Sequence, residues 1–253
     1  MDLGLKDRRA LVTAASKGLG RACAHALAAE GAKVFISSRD EALLEKVAKD
    51  IGAEGWHAAD MSVAGGPESA VEAAAGALGG LDILVVNAGG PPAANFQGTS
   101  LENWDAAHQL TLMSAVRLIK SALPYLKRSD QGRIVIVTSI SVRQPIAQLV
   151  LSNSLRAAVT GMAKTLAAEI GPDGTTVNCL APDAVLTDRI RHLAPTGVDI
   201  DEYIKKSAEA VPLRRMGDPA EFGATCAFLC SKQAGFITGQ TIGVDGGKLA
   251  GVH

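Results

Sequence analysis

The sequence predicts a single α/β domain, a doubly wound parallel sheet of seven strands with helices on both faces. Three observations predict it. Short apolar runs alternate with longer segments of helical period along the chain, as expected when each strand is returned by a covering helix. The first run opens directly into a glycine-bearing turn and a helix, TAASKGLG at 13–20, the arrangement of a strand-to-helix turn that meets a ligand. Finally, no Pro-, Gly- or Ser-rich linker and no repeat divides the 253 residues, a length that can bury a sizeable core as one domain (1–253).

The strand candidates are 9–13, 33–37, 55–58, 83–86, 133–138, 176–180 and 241–244. Runs this continuously apolar suit strands covered on both faces. After the first, Leu19, Cys23, Ala26 and Leu27 recur on one helical face. An Ala-rich helix is expected near 71–78, and long helical patterns cover 101–126 and 150–170. The last helix has a readable start: Asp218 caps it, Pro219 takes the first helical position and Glu221 stands three residues after the cap. Residues 186–215 break the pattern. That stretch is polar and irregular, and is expected to form a mobile lid over a site.

Composition narrows the function classes. Lys plus Arg number 25 against 26 Asp plus Glu, a net charge of −1, too even for a polyanion partner such as nucleic acid. Cys23, Cys179, Cys226 and Cys230 sit in apolar surroundings without paired CxxC spacing, so they read as reduced core residues rather than zinc ligands. No metal site is expected. The N-terminal segment has no apolar signal run, and no stretch reaches the roughly 18 apolar residues of a membrane span, so a cytoplasmic protein with no membrane partner is expected.

In the glycine turn, Gly18 and Gly20 let the backbone approach a pyrophosphate, which the free N–H groups and positive dipole of the following helix would hold. Asp60 then follows the third strand, Asn87-Ala88-Gly89 the fourth and Ser139 the fifth, and Val244-Asp245-Gly246-Gly247 closes the last. Together this series resembles the TGxxxGxG, aspartate, NAG, serine and VDGG series of the short-chain dehydrogenase/reductase family, over the whole chain, in a form similar to its 3-oxoacyl-ACP reductases. The resemblance implies a Rossmann fold binding a dinucleotide. Thr13, Ser16, Lys17, Gly18, Leu19 and Gly20 would form the phosphate turn, with Asp60 and Met61 at the adenine. Asn87, Ala88 and Gly89 would line the cofactor, with Pro182 beside the nicotinamide and Thr187 on its carboxamide. Ala14 departs from the pattern by standing where the family has its first glycine, and its methyl group restricts the turn if φ there must be positive. The second strand ends in Ser37-Ser38-Arg39, without the acid that would accept ribose hydroxyls in an NAD site. Arg39 and Lys17 suit a 2′-phosphate, favouring NADP(H) over NAD(H).

The catalytic end departs further. Aligning GRIVIVTS at 132–139 with the family's GRIVNISS places its serine at Ser139. Where the family has tyrosine and lysine stand Ser152 and Arg156, and Thr111 replaces its asparagine. A lysine beside a tyrosine lowers the phenol's pKa from about 10 toward working pH. Serine is a far weaker acid, whereas Arg156 can still hydrogen-bond a ribose while remaining charged. Three readings stay open: carbonyl/alcohol interconversion on a small or acyl-type substrate with an atypical tetrad; a non-redox isomerase, dehydratase or cyclase; or an inactive binding protein.

Asp183, where the family has glycine, is the first candidate for altered chemistry. Tyr203, in the lid, is a candidate proton donor or pocket wall. Arg143 is expected to border the substrate opposite the turn Gly89-Gly90-Pro91-Pro92, and Arg189, Arg191 and His192 suggest an anionic substrate. The resemblance further implies a homo-oligomer, a tetramer or dimer, through segments carrying Leu110, Leu112, Met113 and Leu118, and Phe222, Phe228 and Leu229.

Overall fold

The computed structural model describes residues 1–194 and 197–251. Seven parallel strands form one sheet: β1 (Arg9–Thr13), β2 (Lys33–Ser38), β3 (Gly55–Ala58), β4 (Ile83–Val86), β5 (Arg133–Val137), β6 (Thr176–Pro182) and β7 (Thr241–Val244). Their order is β3-β2-β1-β4-β5-β6-β7. Ala10 pairs with Val34 on one side and Ile83 on the other, so the winding reverses between β1 and β4. A crevice at the carboxyl ends of these two strands is where open α/β sheets bind ligands.

The helices cover both faces. On one lie α1 (Gly18–Ala29), α2 (Glu41–Ile51) and a C-terminal helix, Pro219–Cys230; Leu27, Leu44 and Phe222 meet Val12, Ile36 and Val135 in its core. On the other lie α3 (Gly66–Leu78), α4 (Leu101–Ala107), α5 (Ser114–Leu126) and α6 (Val150–Ile170). There Val71, Leu118 and Val159 pack on Leu84, Ile134 and Val177. All four cysteines are buried and unbridged. No helix among the described residues is long and apolar enough to cross a membrane.

Every expected strand is present, β2 and β6 running slightly longer and β5 ending one residue earlier. The cap of the C-terminal helix forms as expected, Asp218 accepting from Ala220 N at 2.8 Å and Glu221 from Asp218 N at 2.8 Å.

Three expectations need correction. The helix over 101–126 is interrupted by a π-helical segment, His108–Met113, whose wider turn contains Thr111. Residues 186–215 are not irregular throughout. They contain α7 (Asp188–His192) and α8 (Ile200–Glu209), the latter capped by Asp199, which accepts from Asp201 N and Glu202 N; Pro195 and Thr196 of this segment lie outside the described residues. Completing the count, α9 is Pro219–Cys230. Leu118, Phe222 and Leu229 are core residues with no exposed surface, so they offer nothing to an interface; Phe228, 38% exposed, does.

Candidate active site

The crevice is built first by β1 and β4. Thr13 Oγ1 donates to Asn87 O at 2.7 Å and accepts from Asn87 N at 3.0 Å, joining the two strand ends. Asn87 Nδ2 then donates to Ala14 O at 3.3 Å. Ala14 has φ +46°, so an alanine occupies the left-handed region where glycine would be free. Gly20 permits the close approach of α1. A Cβ there would stand 2.4 Å from Ala14 O and 2.7 Å from Asn87 Nδ2. The result aims the open N-terminus of α1 over the crevice, with Lys17 exposed, Ser16 half-buried and Leu19 packed on the core. Thr187 lies above the turn, 3.7 Å from where a methyl on Gly18 would be.

Beside this turn, β2 ends in two buried serines whose hydroxyls lack partners, Ser37 and Ser38, followed by exposed Arg39. Asp60, after β3, accepts from Ser62 N at 2.8 Å and Ser62 Oγ at 2.7 Å. The Ser62 bonds, aided by Arg39's charge, hold its carboxyl below the usual range against its partial burial. Met61 is only 4% exposed and packs its side chain into the core.

The reaction end gathers around α6. Ser139 follows β5 in extended conformation, and its Oγ accepts from Ser141 N at 3.2 Å. Ser152 lies in the first turn of α6 and is buried; Arg156 follows one turn later on the same side. Arg156 donates from Nη1 to Val137 O at 2.9 Å, and with Ala88, Thr111, Ser114 and Val137 it lines a small enclosed cavity. The Thr111 hydroxyl is buried there without a partner. Burial and the charge of Arg189 push Arg156 down to about 10, so it remains a cation at neutral pH. Arg189 reaches across from α7, Nη2 donating to Pro91 O at 2.9 Å, and its Cζ would be 2.8 Å from a Cβ on Gly90.

Other sequence candidates are placed elsewhere. The Asp183 carboxylate lies 2.8 Å from Lys248 Nζ and borders a separate hollow of about 530 Å³ with Val211, Pro212 and Gly246. Arg143 donates to Thr241 O at 2.7 Å, tied to the start of β7. Tyr203 is half-buried on α8. Among the described residues, no group of His, Cys, Asp and Glu is arranged to hold a metal. Sequence reasoning passed over Ser38, noticing only that the strand end lacks an acid, and did not separate Arg189 from its exposed neighbours Arg191 and His192.

Residues 13–248 match the family model described as enoyl-(acyl carrier protein) reductase. Among curated proteins, the chain is 33% identical over 251 residues to dehydrogenase/reductase SDR family member 4 of Sus scrofa, covering 97% of this chain and 88% of that protein. It is 34% identical over 246 residues to the 3-oxoacyl-acyl-carrier-protein reductase of Vibrio cholerae, covering 97% and 98%. Among solved structures, L-sorbose reductase from Gluconobacter frateurii, complexed with NADPH and L-sorbose, superposes with a TM-score of 0.94 at 32% identity, each chain covered completely.

Proposed function

Because the chain belongs to the short-chain dehydrogenase/reductase family, we propose that it is an NADP(H)-dependent oxidoreductase interconverting a carbonyl and an alcohol on a small or acyl-type substrate. The observation that carries the cofactor assignment is the end of β2, where exposed Arg39 follows the buried serines Ser37 and Ser38. A phosphate there would gain charge-assisted hydrogen bonds from the guanidinium. The NADPH bound by the sorbose reductase supports the same reading. Ser16 to Gly20 with Lys17 would hold the phosphates, Asp60 and the Met61 backbone the adenine, Asn87 to Gly89 the central ribose region, and Pro182 with Thr187 the nicotinamide end.

Bound NADPH supplies a hydride; the chain must bind, orient and polarise the carbonyl and provide a path for its proton. Ser139 and Ser152 are the hydroxyls for polarisation. Arg156, cationic at neutral pH, suits a ribose hydroxyl or a developing oxyanion but carries no proton there. Proton delivery therefore falls to the serine hydroxyls and water. Loss of a tuned general acid costs about 10²- to 10⁴-fold, so turnover is expected to be slow. The same replacement favours a second reading, a non-redox isomerisation or elimination through an oxyanion steadied by Arg156, in which NADPH is not consumed.

The test is a titration with NADPH and NADH followed by turnover on carbonyl substrates. NADPH is expected to bind more tightly, and Arg39→Ala to weaken it about tenfold or more, the worth of a hydrogen bond to a charged group. Ser152→Tyr with Arg156→Lys should raise carbonyl reduction. Failure of both cofactors to bind would remove the redox assignment.

A further inference from the structure

Two guanidinium groups converge on the carboxyl ends of β4 and β5 from opposite elements, Arg156 from α6 and Arg189 from α7. Each is fixed by a single backbone carbonyl at 2.9 Å, Val137 O for the first and Pro91 O for the second. Four arginines elsewhere are matched to carboxylates, Arg8 to Asp130, Arg9 to Asp82, Arg21 to Asp50 and Arg215 to Glu221, and buried Arg133 has two carbonyl partners, Ser231 O and Gly132 O. Neither Arg156 nor Arg189 is in an ion pair among the described residues. A carbonyl oxygen satisfies one donor of a guanidinium that has five, and it does not neutralise the charge.

Holding two cations close together in a partly desolvated crevice disfavours folding unless something offsets it. Both groups feel that cost, since burial lowers each, and both meet the loop after β4: Ala88 lines the cavity beside Arg156, while Gly90 and Pro91 lie against Arg189. Asp188, the acid on the same helix as Arg189, is exposed and does not offset it.

We propose that the substrate carries an oxyanion, a carboxylate or a phosphate, which binds between Arg156 and Arg189, with Arg189 the residue that selects for it. This deepens the functional reading above and rests on Ser139 and Arg156 marking its reaction site. Recognition from α7 also ties the substrate to the segment that begins at Thr187 over the glycine turn, so a bound anion would hold that segment against Pro91.

The test is calorimetric titration of oxalate, inorganic phosphate and neutral oxamide at constant ionic strength, into the free protein and into protein saturated with NADPH. Saturable binding of oxalate or phosphate, with no binding of oxamide, is expected in the NADPH-loaded protein; whichever anion binds more tightly names the group. Arg189→Gln should weaken it at least tenfold, the equivalent of one charge-assisted hydrogen bond, while Arg191→Gln, which removes the same charge from the exposed side of α7, should leave it within twofold. Anion binding seen only without NADPH would mean that the arginines serve the cofactor, and the proposal would fall. Equal binding by wild type and Arg189→Gln, or none at all, would overturn it too. If NADPH does not bind but the free protein takes an anion through Arg189, the oxyanion site stands and the redox reading alone fails.

Discussion

Arg9 and Arg156 occupy opposite ends of the same sheet and are accommodated by opposite means. Arg9, at the amino end of β1, donates to Asp82 through Nε at 2.9 Å and Nη2 at 2.8 Å, and Ser129 Oγ adds a bond to the same carboxylate at 2.6 Å. Burial alone would raise the Asp82 carboxyl, but the Arg9 and Ser129 bonds bring it down to about 2. Arg156, at the carboxyl end of β5, meets only the Val137 carbonyl, and burial with Arg189 lowers it instead. Arg9 is closed by a carboxylate that stabilises the fold. Arg156 keeps its charge without one, where an anionic ligand can complete it.

The comparison can be broken from either end. The largest effect is expected at the crevice: in Gly20→Ala the new methyl must displace Ala14 O or Asn87, since it would stand 2.4 Å from the carbonyl oxygen. Overpacking of this kind costs about 1–3 kcal/mol, and NADPH affinity should fall at least tenfold. A urea melt and an NADPH titration read the two losses separately. Normal NADPH affinity in this variant would mean that the turn is not the cofactor cradle. At the other end, Asp82→Asn should cost roughly 2 kcal/mol at pH 7, the worth of its depressed pKa, and leave NADPH affinity unchanged. The carboxyl's folded pKa lies below the unfolded value of about 3.9, so its stabilisation is complete above that value and is lost as pH falls toward 2. The difference in stability between wild type and variant should therefore shrink on acidification below pH 4. A gap of constant size from pH 7 to pH 3 would show that packing, not charge, ties Arg9 to Asp82.

The two ends also differ in how far the sequence reveals them. The inner strands β1, β4 and β5 were legible because burial on both faces demands continuous apolar runs, and the glycine turn because a close backbone approach admits no side chain at Gly20. The capped start of α9 was legible because its bonds are local. What escaped depends on distance in the chain or on burial. One extra residue per turn at His108–Met113 leaves the apolar spacing nearly helical, so the π segment left no signal. The helices α7 and α8 bury no residue completely, and without an apolar stripe they read as irregular. Asp183 sits beside the expected nicotinamide region in sequence, but its partner Lys248 comes from beyond β7. Ser38 and Arg189 are ordinary residue types; only the missing partner of the first and the Pro91 contact of the second distinguish them.

The smallest expected effect sharpens the comparison at Ala14, the one place where the crevice carries backbone strain in its phosphate turn outside glycine. An L-residue in the left-handed region costs about 1–2 kcal/mol, and Ala14 at φ +46° bears part of that. Ala14→Gly relieves it but gives the unfolded chain more freedom, which takes back roughly 0.4–1 kcal/mol. The two nearly cancel, so a gain of about 0.5 kcal/mol and a midpoint shift of roughly 1–2 °C are expected. Because Ala14 O would still accept from Asn87 Nδ2, NADPH affinity should change less than threefold. A tenfold loss would mean that the alanine's stiffness, rather than its hydrogen-bonded carbonyl, sets the shape of the turn, and the carboxyl end of the sheet would then owe its geometry to strain as well as to unpaired charge.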